Sequence, residues 1–352
     1  MTLPSCRIPL LMAATALLLL PSLAEAAPTA PYKAVQRGLQ GLVAAPGGPP
    51  GAVATIHRRG RTTVLSAGRS DVRRPRRPRA TDHMRIASVA KAFSGAVVLN
   101  LVRKRRLRLG DTIGQRLPNL PPAWHPVTTR QLLNHTSGLP DYTLSAGFAE
   151  HARTNPHGLV HPSMILDWVS AEGLVFPPGS RYQYSNTDNI VVALIAEGVS
   201  RDTYGDLLAK LVFEPAKLTE TSFPTGRISL PRPFIHGYVT EPGQAPEDVT
   251  TLLSPSGAWA SGGIVSTPLD LARFIRAYLR GKFFGAAQKR QQRRFVPGAS
   301  SPPGPGTNAG GACAVPLPQP LRDGLRPYRQ LPGVRSVGGR DRRRPALRHH
   351  HA

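Results

Sequence analysis

Two short clusters in this chain carry side chains able to make and break bonds. Ser88-Val89-Ala90-Lys91 heads an apolar stretch, Ala92 to Leu99, that reads as a buried helix. A hydroxyl and an amine three positions apart share a helix face, so the amine can take the hydroxyl proton without intervening water. For that the amine must first be neutral. Bringing a lysine from about 10.4 to about 7 corresponds to roughly 4–5 kcal/mol of disfavoured charge, which burial at the head of an apolar helix beside other positive groups can supply. The second cluster, Tyr184-Ser185-Asn186, stands between the Phe176-Pro177-Pro178-Gly179 turn and a helix expected from about Asn189. A phenol there can relay a proton between Ser88 and a leaving group. The Asn186 amide can hold a substrate carbonyl or fix the lysine. Each cluster alone also has a plain structural reading: a helix start with a surface lysine, and a polar turn with an Asn cap.

The elements that must position these groups follow from periodicity and breakers. Tyr32 to Ala45 reads as a helix, stopped by the Pro/Gly cluster Pro46 to Pro50. Gly51 to His57 and Thr62 to Ala67 flank Gly60 as a hairpin. The Ser88 helix runs to a basic turn near Arg103, and Asp111-Thr112-Ile113 opens the next segment. Helix-like pieces at Thr129–Leu133, Met164–Val169, Asn189–Gly198 and Tyr204–Val212 then dominate. Gly262-Gly263-Ile264-Val265 is a strand candidate, and Thr267 caps an amphipathic helix through Tyr278. This order predicts an α+β fold with a helical region set into a mixed antiparallel sheet.

Arg7, the apolar run Ile8 to Leu20 and Ala24-Glu25-Ala26 read as a secretory signal over residues 1–26. The run is short for a membrane span, so an exported chain without an anchor is expected. After cleavage only Cys313 remains, which excludes an intrachain disulfide. The net charge of +25 points on its face to nucleic acid. Its distribution does not: from Arg280 onward there are fifteen Lys/Arg against two Asp/Glu, in a segment with little periodicity. The runs Arg73–Arg79 and Arg103–Arg108 read as solvated faces, and no interleaved aromatic stripe or DNA-binding spacing accompanies them. No metal site is expected, since His349 to His351 lack acidic or cysteine partners, and no cofactor motif is present. The sequence leaves the oligomeric state open.

Four stretches together resemble the class C type β-lactamase and D-alanyl-D-alanine carboxypeptidase family, and secreted carboxypeptidases in particular. They are Ile86 to Phe93, Gln131 to Tyr142 with its His135-Thr136-Ser137-Gly138 core, Pro178 to Asn186, and Ala260 to Thr267. The resemblance runs from roughly Tyr32 to Gly311. It implies a five-stranded antiparallel sheet flanked by helices and joined to an all-helical subdomain, an α/β sandwich with Ser88 in the groove between. It further implies that Ser88 is the acylated nucleophile, Lys91 its partner base and Tyr184 the proton carrier, with Asn186 contacting substrate. His135 to Gly138 is then a structural turn, and His236-Gly237 a loop feature. The implied substrates are peptidoglycan-type peptides and β-lactams. β-Lactamase or esterase activity uses the same residues, and a binding-only protein is the alternative from another class.

The family completes its cleft with a Lys/His-Thr/Ser-Gly triplet whose neighbouring backbone N–H joins that of the nucleophile in an oxyanion hole. No such triplet follows Thr267 here. Residues 27–311 therefore read as a hydrolase domain incomplete at its C-terminal end, followed by an Arg/Pro-rich tail at 312–352. That composition is what GC-rich coding DNA gives in a wrong frame. Leu321 to Gln330, read one nucleotide later, permits Cys-Gly-Thr-Val-Tyr-Gly-His-Thr-Gly-Asn, which restores the triplet and predicts a frame slip near Gly310-Gly311. The alternative is a basic disordered tail.

Overall fold

The polar breakers between apolar runs set the element order, and the first long element is the amphipathic helix α1 (Ala30–Ala44). The computed structural model describes residues 30–226, 228–294, 296–298 and 308–310. The expected leader at 1–26, Cys313 and the tail at 312–352 lie outside the described residues. Strands β1 (Gly51–Arg58) and β2 (Arg61–Gly68) pair antiparallel, with Gly51 opposite Gly68 and Arg58 opposite Arg61. Arg59 and Gly60 both have positive φ, 48° and 81°, the twist a two-residue hairpin turn requires. Gln36 of α1 donates to the Ser66 carbonyl at 3.0 Å and ties the helix to this hairpin.

After β3 (Met84–Arg85) and a 3-10 turn at Ala87–Val89, α2 (Ala90–Arg103) runs through the middle of the molecule. Phe93, Ala96, Val97, Val98 and Leu99 have no exposed surface, because this helix is apolar on every side rather than along one stripe. Capping boxes of Thr112 with Gln115 and Thr128 with Gln131 open α3 (Ile113–Arg116) and α4 (Thr129–Leu133). α5 (Ala146–Thr154), α6 (Pro162–Asp167), the buried α7 (Asn186–Ser200), α8 (Tyr204–Leu208), a π-helical turn at Ala209–Phe213 and α9 (Glu214–Ala216) complete the helical region.

β4 (Tyr238–Val239) pairs with β5 (Glu247–Asp248). α10 (Trp259–Gly262) leads into β6 (Val265–Ser266), which returns antiparallel to β3. α11 (Pro268–Arg280) and α12 (Ala286–Gln292) follow, and β7 (Val296–Gly298) pairs with β8 (Asn308–Gly310). Phe93 stacks on Phe274 with ring centroids 3.7 Å apart, joining α2 to α11 in one core.

The α+β class with antiparallel strands and a helical region is as expected. Among the described residues every sheet is two-stranded, short of the five strands the resemblance implies. Several boundaries differ from the sequence reading. Gly262-Gly263 ends a helix instead of forming a strand, with the Gly263 N–H bonded to the Trp259 carbonyl at 2.7 Å, and strand geometry is confined to Val265–Ser266. α7 begins three residues before Asn189, so Asn186 is helical and Ser185 holds the cap position without a side-chain cap. The Arg73–Arg79 run is also more than a solvated face. Arg76 reaches the fully buried Asp82 at 2.7 Å and donates to the Phe234 carbonyl at 3.1 Å.

Candidate active site

Ser88 sits in the 3-10 turn that precedes α2, and the turn is entered through Ala87 at φ 44°, a left-handed conformation uncommon for a residue with a Cβ. The preceding strand fixes this entry, since the Ile86 N–H bonds to the Ile264 carbonyl at 3.1 Å. The result is an exposed hydroxyl above an almost fully buried amine: Ser88 faces solvent while Lys91 is 5% exposed. Lys91 Nζ lies 3.2 Å from Ser88 Oγ, 2.8 Å from Asn186 Oδ1 and 2.8 Å from the Ser261 carbonyl. On its other side Ser88 Oγ is 2.7 Å from the Tyr184 hydroxyl, and Lys91 Nζ stands 4.9 Å from the Tyr184 ring centroid. All four residues singled out from sequence therefore meet at one point.

The turn at His135 to Gly138 holds the Tyr184 segment from behind. Gln183 N–H bonds to the His135 carbonyl at 2.9 Å, and the His135 ring lies 4.7 Å from that of Tyr184. His135 Nδ1 is 2.8 Å from Asp188 Oδ2, and the Ser137 hydroxyl donates to the other Asp188 oxygen. Burial pushes the Asp188 carboxyl up, opposed by these two hydrogen bonds. Gly138 has φ 79° and a Cβ there would lie 2.2 Å from the Phe176 carbonyl oxygen, so only glycine closes this turn against the Pro177-Pro178 segment.

The Ser261 carbonyl comes from α10. A Cβ on Gly263 would approach the Trp259 carbonyl oxygen to 2.8 Å, so the tight turn that aims Ser261 O at Lys91 depends on that glycine. Behind it, the Tyr142 hydroxyl donates to the Gly257 carbonyl at 2.9 Å and stands 2.9 Å from Ser261 Oγ; burial raises its pKa and keeps it neutral. Sequence reasoning missed Ser261, and also Asp141, whose carboxylate accepts from Asn186 Nδ2 at 3.0 Å. The signal for both lay within stretches quoted above, but a backbone acceptor and an N-cap carboxylate leave no mark of their own. Chemically, an exposed hydroxyl flanked by a phenol and a buried amine can be deprotonated on either side and attack an electrophilic carbonyl. Among the described residues there is no group of three His, Cys, Asp or Glu able to hold a metal, and no helix is long and apolar enough to cross a membrane.

A hydroxyl, a phenol and an amine thus converge at the start of a buried helix. The chain belongs to the Beta-lactamase family, whose model matches residues 39–321. Penicillin-binding protein 4* of Bacillus subtilis is 32% identical over 227 residues, covering 61% of this chain and 49% of that protein. Protein flp of Staphylococcus aureus is 29% identical over 179 residues, 49% of this chain and 35% of that one. The chain spans about half the length or less of these curated relatives. Among solved structures, a D-stereospecific amidohydrolase from Streptomyces sp. superposes with a TM-score of 0.68 at 28% identity, covering 80% of this chain and 82% of that one. D-amino acid amidase from Ochrobactrum anthropi SV3 gives 0.69 at 25% identity, covering 81% and 80%.

Proposed function

We propose that this chain is an exported serine hydrolase that forms an acyl-enzyme on Ser88 and cleaves amide bonds next to D-configured residues, foremost the D-alanyl-D-alanine ends of peptidoglycan-type peptides. The observation that carries this reading is the position of Ser88 Oγ, 2.7 Å from the Tyr184 hydroxyl and 3.2 Å from Lys91 Nζ. In the forward step Lys91, assisted by Tyr184, removes the Ser88 proton, Oγ bonds to the carbonyl carbon, and the C–N bond breaks as Tyr184 returns a proton to the departing amine. Water then adds to the ester, its proton passing back to the same pair, and the acid leaves with Ser88 restored. Asn186 steadies Lys91 through its Oδ1, and its substrate contact is what the resemblance implies. The names of the structural neighbours, both acting on D-configured amides, support an amidase as the second reading.

The printed chain lacks the third triplet after Thr267. Loss of an oxyanion donor slows such reactions by about 10²–10³, so the chain as printed reacts slowly, and the frame slip near Gly310-Gly311 is its proposed origin. A sequencing trace of the gene across that point tests the origin directly; a trace without an extra or missing base overturns the frame slip. The function is tested with a fluorescent penicillin followed by peptide mapping. A stable adduct on Ser88, lost in Ser88→Ala, is expected. Equal labelling of both proteins overturns the nucleophile assignment, and tight reversible binding without an adduct makes the chain a binding protein. Release of D-alanine from a D-alanyl-D-alanine peptide against ammonia from a D-amino acid amide separates the two hydrolase readings.

A further inference from the structure

Asn186 can hold Lys91 in only one of its two amide orientations, and the reason it keeps that orientation lies one residue further out. Its Oδ1 is 2.8 Å from Lys91 Nζ, while its Nδ2 donates to Asp141 at 3.0 Å to Oδ2 and 3.2 Å to Oδ1, with Thr143 Oγ1 at 3.4 Å. A carboxylate only accepts hydrogen bonds, so a carboxylate at 141 forces the NH₂ toward itself and the carbonyl oxygen toward the amine. Asp141 is itself fixed, because its Oδ1 caps the 3-10 turn Tyr142–Leu144 by accepting from the Thr143 N–H at 3.0 Å and the Thr143 hydroxyl at 2.9 Å.

We propose that Asp141 is a positioning residue for the reaction: through Asn186 it locks the acceptor that holds Lys91 and sets the orientation of the whole amine–hydroxyl pair. This rests on the acyl-enzyme reading above but assigns a task to a residue outside it. Among the groups facing Lys91 are Ser88 from its own turn, Tyr184 and Asn186 from the segment that enters α7, and the Ser261 carbonyl from α10. The Tyr142 hydroxyl stands behind Ser261, and His135 and Asp188 stand behind Tyr184.

Two substitutions at one position separate this role from simple support of the turn. Asn is a good N-cap and Ala a poor one, so a purely structural role makes Asp141→Ala the worse variant in every respect. The positioning role reverses the order for chemistry. In Asp141→Asn the new Oδ1 keeps the two cap contacts and the longer contact with Asn186, while the NH₂ takes the place of Oδ2 and meets the Asn186 NH₂ donor to donor at the shorter contact. Asn186 relieves this by flipping, which turns NH₂ toward Lys91. Asp141→Ala leaves a gap that water fills without forcing the flip.

The experiment measures, on the full chain, the melting temperature, the second-order rate of Ser88 labelling by fluorescent penicillin, and the titration midpoint of Lys91 by NMR of ¹³Cε-lysine protein, assigned by its loss in Lys91→Ala. The expected stability order is wild type, Asn, Ala. For labelling the order is wild type, Ala, Asn, with the Asn variant slowed by about tenfold or more. The Lys91 midpoint falls in both variants and further in Asn, since a removed carboxylate and an incoming donor both disfavour the ammonium. Labelling that tracks stability, or a Lys91 midpoint equal in the three proteins, overturns the proposal. The NMR arm needs no turnover, so a wild type that is not labelled at Ser88 counts against the acyl-enzyme reading and leaves the midpoints to decide on Asp141.

Discussion

The cleft at Ser88 and the cluster joining residues 71–74 to 236–250 both gather polar side chains from distant parts of the chain, yet they follow opposite rules. In the cluster, carboxylates meet basic side chains directly. His236 Nδ1 is 2.7 Å from Asp248 Oδ2 and its Nε2 is 3.5 Å from Asp71 Oδ2, while Arg73 Nε is 3.0 Å from Asp71 Oδ1. The Arg73 hydrogen bond holds the Asp71 carboxyl down at about 2. In the cleft the amine of Lys91 rests on a hydroxyl, an amide oxygen and a backbone carbonyl, and the carboxylate of Asp141 stands behind the amide. A direct opposite charge favours the charged form of its partner, whereas a hydroxyl, an amide oxygen and a carbonyl orient an amine. The expected loop feature at His236 is thus a side-chain tie to Asp248 and Asp71 that joins distant segments, while the expected catalytic residues meet through a hydroxyl, an amide and a backbone carbonyl.

The comparison is broken most severely at Lys91. Lys91→Ala removes the proposed base and slows Ser88 labelling by about 10²–10⁴, read as the second-order rate with the penicillin probe, while circular dichroism remains that of the wild type. A rate unchanged by this substitution would place the base elsewhere and remove the contrast altogether. Next comes the backbone that carries the Ser261 carbonyl. Gly263→Ala forces a methyl against the Trp259 carbonyl oxygen. It is expected to cost about 1–3 kcal/mol in denaturant unfolding and to slow labelling as well, because the shifted turn withdraws an acceptor from Lys91. Destabilisation without a rate effect would show that Ser261 does not orient the amine.

The smallest effect belongs to the ion-paired cluster, and it is a matter of pH. The folded pKa of Asp71, about 2, lies below the ordinary 3.8. Its contribution is therefore complete above about pH 4 and is lost as the pH falls toward 2. Asp71→Asn should melt below the wild type at neutral pH, and the two curves should converge as the solution is acidified toward pH 2, with labelling of Ser88 unaffected at neutral pH. A constant gap between the curves across that range would mean that the carboxylate charge is not what ties the segments.

Much of this organisation is legible in the sequence where the signal is local. The hairpin around Gly60, the capped start at Thr267 and the buried helix after Ser88 all follow from neighbouring residues. The Ser88–Lys91 contact is local too, at three positions' separation. What sequence does not display is a role created by folding. Asp141 is an ordinary cap until the chain returns 45 residues later with Asn186. Ser261 contributes only a main-chain oxygen, for which any residue type would serve. The Gly262-Gly263 pair reads as a strand from sequence, yet it ends α10, where Gly263 closely approaches the Trp259 carbonyl.

The hydrogen bond from Lys91 to the Ser261 carbonyl spans 170 residues of chain. During synthesis the hydroxyl at position 88 emerges early, but the oxygen that steadies its amine exists only once most of the polypeptide has left the ribosome. Maturity of the site is thereby tied to completion of α10: a nascent chain stopped before residue 259 carries the reactive pair without the brace that orients it.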